Sequence, residues 1–290
     1  MTSDNLLFMN ILTFDIEDWF HIHFKSGFNC ESNFLSYPSR VHDNMDFLFE
    51  ALLNSDKKAT FFCLGWIGRK YPEIIKKIDD YGFQIGSHSD MHELAINQTK
   101  KEFKADIEHS IKTLQDITGK SVKTYRAPAF SIKEENKWAF EYLLEFGIEI
   151  DCSIFPARRD FGGFDEFGIG EPCLINYNGL MIKEFPMNIK SILKQKIIFS
   201  GGGYFRFLPY WLIRQLFSNS SYTMSYFHPR DFDSNQPILN DLSVSRKFKS
   251  YYGLNSAKFK LEKLLKQFDF VDIQTADNLI DWGKAKIIKI

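Results

Sequence analysis

His88-Ser-Asp-Met-His92 sets two imidazoles four residues apart. That spacing fits a solvated loop or helix face as readily as a metal site, so further ligands must come from elsewhere in the chain. Thr13-Phe-Asp15-Ile-Glu17-Asp18 offers three carboxylates within four residues. Two neutral imidazoles and one carboxylate form a facial set for zinc or another divalent metal, with positions left open for water and substrate. A second carboxylate nearby could take a proton from coordinated water, whose pKa falls to about 7 beside such an ion. Arg126 and His228 extend the set. A fixed guanidinium favours the ionised form of a neighbouring carboxylate and holds its orientation, though a lone arginine is equally well explained as a structural ion-pair partner. His228 precedes Pro229, which holds the histidine's backbone extended and could aim the imidazole inward as an acid for a departing amine.

These groups must be positioned by strands. Asn10–Phe14 reads as a strand ending at the three carboxylates, and Ala59–Leu64 as a compact buried one. Phe83–Gly86 would deliver His88 and His92, Val122–Tyr125 leads into Arg126, and Tyr222–Phe227 leads into His228. Helical patterns separate them. Arg40–Asn54 carries Val41, Met45, Leu48 and Leu52 on one face, and Tyr71-Pro72 opens a helix that stops at Gly82. Thr99-Lys-Lys-Glu102 is a capping box ahead of Phe103, Ile107, Ile111 and Leu114. Further helices are expected at Glu134–Phe146 and Ser256–Phe268, with strands at Ile148–Asp151 and Phe270–Ile273 and a short final helix. Asn178-Gly179 marks a hairpin between Leu174–Tyr177 and Leu180–Phe185. Leu239–Tyr252 reads as a polar, irregular excursion.

Repeated strand–helix units predict an α/β fold with a parallel sheet or barrel and helices outside. Active sites of such folds form at the C-terminal strand ends, where Asp15/Glu17/Asp18, His88/His92, Arg126 and His228 all fall. The 290 residues, 44% hydrophobic with a net charge of -1, suit a soluble protein with a large core and give no support for nucleic acid as a partner. The 30 phenylalanines are read as core filling. The first residues lack the pattern of a secretory signal, and no apolar run is long enough to span a bilayer. Cys30, Cys63, Cys152 and Cys173 form no CxxC pair and read as reduced thiols, which places the protein in the cytoplasm. Oligomeric state is not readable.

In combination these residues resemble the polysaccharide deacetylase superfamily, metal-dependent carbohydrate esterases with a nodulation-protein-B homology domain. The family's five motifs have counterparts in order across Leu12–Pro229. Thr13–Asp18 resembles the first, His88–His92 the second, Tyr125-Arg126-Ala-Pro128-Ala-Phe130 the third, Asp151-Cys-Ser153-Ile-Phe-Pro156 the fourth and Tyr226-Phe-His228-Pro229 the fifth. Details such as Asp15-Ile-Glu-Asp-Trp19 and Gly201-Gly-Gly-Tyr204-Phe-Arg206 resemble a subfamily associated with exopolysaccharide and surface-glycan synthesis.

The resemblance implies a distorted (β/α) barrel of about seven parallel strands with peripheral hairpin and helical additions. It implies a single catalytic domain over 1–290, with a motif-bearing core at about 10–230 and residues 231–290 completing the barrel. It also implies Asp15 as base, Arg126 orienting it, His228 as acid, and His88 and His92 as ligands. Asp18 or Glu17 would be the third ligand: the family's usual adjacent aspartates are separated here by Ile16 and Glu17. Residue type leans to Asp18, while strand alternation puts Glu17 beside Asp15. The metal expected is Zn2+, with Co2+, Ni2+ or Fe2+ as alternatives. Tyr204, Trp19, Asp151 and Phe130 are the candidate substrate contacts. The glycine run either admits the sugar to the backbone or forms a turn among packed aromatics. His21 and His23, two apart, are read as solvated or groove-edge residues. The activity implied is removal of N-acetyl groups from sugars of a surface polysaccharide or its precursor. Hydrolysis of a formamide or cyclic ureide at the same site, and a glycan-binding protein without turnover, are the alternatives.

Overall fold

The computed structural model describes residues 8–22, 27–159, 161–192 and 195–290. Its strands are β1 (Met9–Ile16), β2 (Thr60–Cys63), β3 (Gln84–Ser87), β4 (Thr124–Tyr125), β5 (Ile150–Asp151), β6 (Cys173–Tyr177), β7 (Leu180–Glu184), β8 (Lys190–Ile192), β9 (Gln195–Ile197), β10 (Tyr222–Phe227) and β11 (Lys286–Lys289). The helices are α1 (Glu31–Phe34), α2 (Val41–Ser55), α3 (Gly65–Lys70), α4 (Pro72–Asp80), α5 (Lys100–Thr118), α6 (Ala139–Glu145), α7 (Gly202–Phe207), α8 (Tyr210–Ser218), α9 (Val244–Tyr251), α10 (Leu254–Gln267) and α11 (Ile273–Leu279).

The main sheet runs β10-β1-β2-β3-β4-β5-β7-β6-β11. Every neighbouring pair from β10 to β7 is parallel, which gives seven parallel strands; β6 then returns antiparallel and β11 adds to its outer edge. The chain after β7 closes the ring against β10 through scattered bonds. Met224 N–H donates to Asn188 Oδ1 at 2.9 Å, the Tyr222 hydroxyl to the Pro186 carbonyl at 2.7 Å, and Gly201 bridges to Tyr226. This incomplete ladder is what makes the (β/α) barrel distorted. At the opposite end Val271 bridges to Ile11, beside the part of β1 that lies below its pairing with β2 at Thr13.

Local chemistry accounts for the helix and turn boundaries. Thr99 and Glu102 form a reciprocal capping box at the start of α5, and Pro72 opens α4. Asn178 and Gly179 have φ of +50° and +87°, the backbone that a tight two-residue hairpin between β6 and β7 demands. The apolar faces of α2, α5 and α10 are buried in one continuous core, where phenylalanine rings recur.

Three expectations are corrected. Glu134–Phe146 is not one helix: a 3-10 turn at Glu134–Asn136 precedes α6. Asn136 directs its side chain to the Lys133 N–H and the Ser131 carbonyl, so it serves the loop instead of continuing a helical face. The Leu239–Tyr252 excursion contains α9, capped by Ser243. Phe270–Ile273 contributes only the Val271 bridge, because Asp272 accepts from the Thr275 N–H and starts α11.

Candidate functional site

β1 is flanked by β10 and β2, and its last residues carry the chemistry. Asp15 sits one residue before the last pair of β1 with β2, Ile16 with Cys63, and Glu17 N–H turns back to the Asp15 carbonyl at 3.1 Å, ending the strand. This bend leaves both carboxylates at the same mouth. Glu17 Oε1 lies 3.1 Å from His88 Nε2 and 2.9 Å from His92 Nε2. One oxygen between two imidazole nitrogens is the arrangement a single cation can replace.

His88 arrives from the end of β3, where its N–H donates to the Cys63 carbonyl. Its Nδ1 lies 2.8 Å from the Arg126 carbonyl. An Nδ1–H donor there fixes the tautomer that leaves Nε2 as an acceptor, the usual outer support of a metal-binding histidine. His92 follows a tight loop in which Ser89 and His92 itself have φ of +73° and +60°. Non-glycine residues hold that backbone only where surroundings impose it. Here the surroundings are Asp106 of α5, which accepts from the Asp90 and Met91 N–H groups, and the forked pairing of Arg69 with Asp90. The His92 N–H also donates to Ser89 Oγ at 3.0 Å. Burial raises the Asp106 carboxyl to about 7, with its two backbone bonds opposing that rise.

Asp15 is buried and is held by Arg126 Nη1 at 2.8 Å from Oδ1. Arg126 is fully buried, donates to Thr13 Oγ1 at 2.6 Å, and lies 4.3 Å from the Phe62 ring centre. His228 projects from the end of β10. Its Nε2 lies 4.0 Å from Asp15 Oδ2 and 3.7 Å from Glu17 Oε1, while Nδ1 pairs with Asp231 Oδ2 at 2.9 Å. Asp231 is in turn ion-paired to Arg206 Nε at 3.1 Å. Burial would lower the His228 pKa, but the charges of Glu17 and Asp231 outweigh it and raise it to about 9. Burial likewise opposes ionisation of Glu17, and its histidine neighbours reverse that, holding the carboxyl well below the usual range. Two overlapping donor groups result, Glu17/His88/His92 and Asp15/Glu17/His228.

The structure separates the other candidates. Asp18 faces away: its carboxylate accepts from Ser39 Oγ at 2.5 Å and from the Trp19 and Arg40 N–H groups. It is committed to the turn at Trp19–Ile22 and the approach to α2, which corrects the leaning towards it as third ligand. Trp19 is buried, donates Nε1–H to the Pro38 carbonyl and packs on Tyr37, so it offers no face to a sugar. Asp151 is also fully buried, accepting from Ser153 Oγ at 2.6 Å. Ser153 Oγ lies 2.8 Å from the Ala127 N–H, so Asp151 supports the Arg126 loop from below. His21 is not at a groove edge. Its ring is enclosed by Phe20, Phe34 and Trp66, Nδ1 accepts from the Asp18 N–H, and burial pulls its pKa down to about 3. His23 lies outside the described residues.

Asp15, Glu17 and His228 open onto a cavity of about 540 Å³ whose walls include Phe130 and Tyr204. Phe130 is 2% exposed with its ring packed against Phe155 and Tyr226, so it backs the wall and offers little face to a sugar, whereas Tyr204 is 46% exposed. Gly201 serves the fold: a Cβ there would lie 2.3 Å from the Tyr226 ring, so its close approach is to β10. Sequence reading missed Asp231 and Arg206. The His228-Pro-Arg-Asp231 spacing carried a signal, because Asp231 accepts from the His228 N–H three residues back. Nothing local pointed to Arg206.

Residues 25–144 match the family described as polysaccharide deacetylase, and residues 152–278 match a domain of unknown function, DUF3473. His88, His92 and Arg126 fall in the first match and His228 in the second; Asp15 and Glu17 precede both. Two Bacillus cereus proteins named peptidoglycan-N-acetylglucosamine deacetylase are 33% identical over 95 residues and 28% identical over 103. These alignments cover 32% and 36% of this chain and 34% and 38% of the relatives. A Helicobacter pylori peptidoglycan deacetylase is 31% identical over 103 residues, 36% of this chain and 33% of that protein. The chain therefore matches about a third of the length of each relative. A candidate polysaccharide deacetylase from Mycobacterium smegmatis shares the fold across 100% of this chain and 96% of its own, with a TM-score of 0.68 at 14% identity. A peptidoglycan N-acetylglucosamine deacetylase structure aligns over 94% of this chain and 89% of its own, with a TM-score of 0.51 at 18% identity.

Proposed function

We propose that the chain is an enzyme of the polysaccharide deacetylase superfamily, whose family description matches residues 25–144, and that it hydrolyses N-acetyl groups on a surface saccharide or its precursor, using a divalent metal. The observation that carries the reading is that Glu17 belongs to two donor groups at once, so ligands, base and acid converge on one mouth. Glu17, His88 and His92 would hold the ion. Their fit rests on one carboxylate oxygen set between two Nε2 atoms and on the Nδ1 contact that fixes His88. The donor set of two imidazoles and one carboxylate suits zinc first. Bound there, a divalent ion supplies Lewis acidity that makes hydroxide available near neutral pH and polarises an amide carbonyl.

The chain's own groups divide the remaining work. Asp15 takes a proton from the attacking water, with Arg126 fixing its carboxylate and Thr13 fixing Arg126. Water oxygen bonds to the acetyl carbon, the C–N bond breaks, and acetate departs. His228 gives its Nε2 proton to the leaving amine nitrogen, and Asp231 keeps the imidazole oriented and protonated. Tyr204 offers exposed aromatic surface for the sugar.

The test is acetate release from N-acetylhexosamine oligosaccharides by purified protein. Release should stop on chelation, return with zinc, and be lost in an H88A/H92A variant. A zinc-supplied H88A/H92A protein as active as wild type would refute the reading.

A further inference from the structure

Helix α7 and the end of α9 meet beside the mouth, and the bonds between them run back to His228. Arg206 of α7 points inward and is ion-paired to Asp231, the residue that holds His228. Its Nη1 also donates to the Ser250 carbonyl at 3.0 Å and the Tyr252 carbonyl at 2.8 Å, and its Nη2 to the Lys249 carbonyl at 2.9 Å. Arg230, two residues after His228, adds a bond to the Ser250 carbonyl at 3.1 Å. Gly253 lets the two backbones come this close: its φ is +78°, and a Cβ there would lie 2.5 Å from the Arg206 carbonyl oxygen. The last turn of α9 is thereby fixed relative to His228.

What this bracing presents to solvent is aromatic. Tyr204 and Phe207 on α7, Phe248 on α9 and Tyr252 just after it line the same cavity as Asp15 and His228, and each is half-exposed. The Tyr252 ring centre lies 4.8 Å from that of Phe248 and 5.7 Å from that of Phe207, and Phe207 lies 6.2 Å from Phe248. A cluster of aromatic faces left in water on a rigid rim marks a place where something binds. The cavity of about 540 Å³ is of the size that holds a drug-sized ligand, more than one pyranose ring needs. Aromatic rings suit the C–H faces of sugars, and the hydroxyls of Tyr204 and Tyr252 suit their polar edges. A lipid tail would need an unbroken apolar wall, whereas this cavity shares its lining with Asp15, Glu17 and Asp231. We infer that Phe207, Phe248 and Tyr252 form a second saccharide subsite, holding a neighbouring unit of the glycan while the N-acetylated unit sits at Asp15 and His228. The substrate class is therefore an oligo- or polysaccharide, not a single sugar. The inference rests on the deacetylase reading and names its substrate.

The experiment measures calorimetric affinity and acetate release on the zinc-loaded full chain with N-acetylglucosamine and its β-1,4 oligomers up to the pentamer. Affinity should rise about tenfold or more from monomer to oligomer, the gain expected of one well-formed aromatic stack. F248A/Y252A should remove that gain while monomer binding, the internal check on folding, stays as in wild type. W211A changes an exposed ring outside the cavity and should keep the gain. Affinity that does not rise with length, or a rise untouched by F248A/Y252A, overturns the inference. Binding to neutral phosphatidylcholine vesicles that F248A/Y252A abolishes, with no gain from length, would assign the rings to a membrane and overturn it equally. Acetate release from the monomer as efficient as from the pentamer would overturn the inference and leave the deacetylase reading standing. Length-dependent binding without acetate release would count against the deacetylase reading alone.

Discussion

Replacing Arg126 by methionine tests how the base is held. The guanidinium is fully buried, 2.8 Å from Asp15 Oδ1, and also bonds Thr13 Oγ1 and the Cys152 carbonyl. Methionine keeps much of the apolar bulk against Phe62 but leaves the buried carboxylate without its hydrogen-bonded cation, with only the His228 imidazole 4.0 Å away. Two unit charges about 4 Å apart interact by about 4 kcal/mol at an effective dielectric of about 20. Removing one partner of a buried pair costs about 3–5 kcal/mol for the same reason. Against a typical total stability of about 5–15 kcal/mol, R126M should remain folded at room temperature but unfold at clearly lower denaturant. Asp15→Asn leaves the guanidinium buried without its anion and should cost a similar amount. The double variant removes both charges, so its loss should fall at least about 2 kcal/mol short of the sum. Urea unfolding of wild type, both single variants and the double variant closes the cycle. A loss below about 1 kcal/mol for R126M, or strictly additive losses, would refute the view that this pair is a coupled, desolvated unit.

Other expectations follow from the same geometry. E17Q should lose bound zinc on dialysis, as read by elemental analysis. D18N should keep its zinc and instead lose about 1–3 kcal/mol of stability, because it weakens three bonds at the Trp19 turn; zinc lost in D18N and kept in E17Q would reverse the assignment. The pH profile carries a sign that can be checked. The His228 pKa is raised from 6.5 to about 9, so the acid form persists into alkaline solution, and in metal-free protein its stabilisation is complete below about pH 6.5 and lost as pH rises through about 9. In the zinc-loaded enzyme D231N should move the alkaline limb of kcat/KM down by about one pH unit, about 1.4 kcal/mol, and leave the acid limb in place; an unmoved alkaline limb would contradict the role given to Asp231. G201A should destabilise by about 1–3 kcal/mol in thermal unfolding, since its added carbon meets both the ring and the backbone of Tyr226; wild-type stability would show that this approach is not tight.

The residues legible in the sequence were those whose placement depends on local rules. His88 and His92 follow a strand end, Arg126 follows another, and His228 sits before a proline, so strand ends bring them to one face. The hairpin at Asn178-Gly179 and the cap at Thr99 are equally local. Asp18 was misjudged because residue type says nothing about the competing donors: Ser39 and Arg40, about twenty residues on, capture its carboxylate. Trp19 and Asp151 look available in sequence and are buried by partners that only the folded chain supplies. Arg206 reaches Asp231 from a different helix, and the rings of Phe207 and Tyr252 share a cavity despite lying far apart in the chain. Residues distant in sequence become a site only through topology.

The account's central claim is that Glu17, His88 and His92 hold one divalent ion beside Asp15 and His228. Anomalous diffraction at the zinc edge from crystals of the zinc-loaded protein tests it directly. The predicted result is a single peak at coordination distance, about 2.0–2.2 Å, from Glu17 Oε1, His88 Nε2 and His92 Nε2. A peak bound by Asp18, or crystals of acetate-releasing protein with no peak at these three atoms, would contradict it.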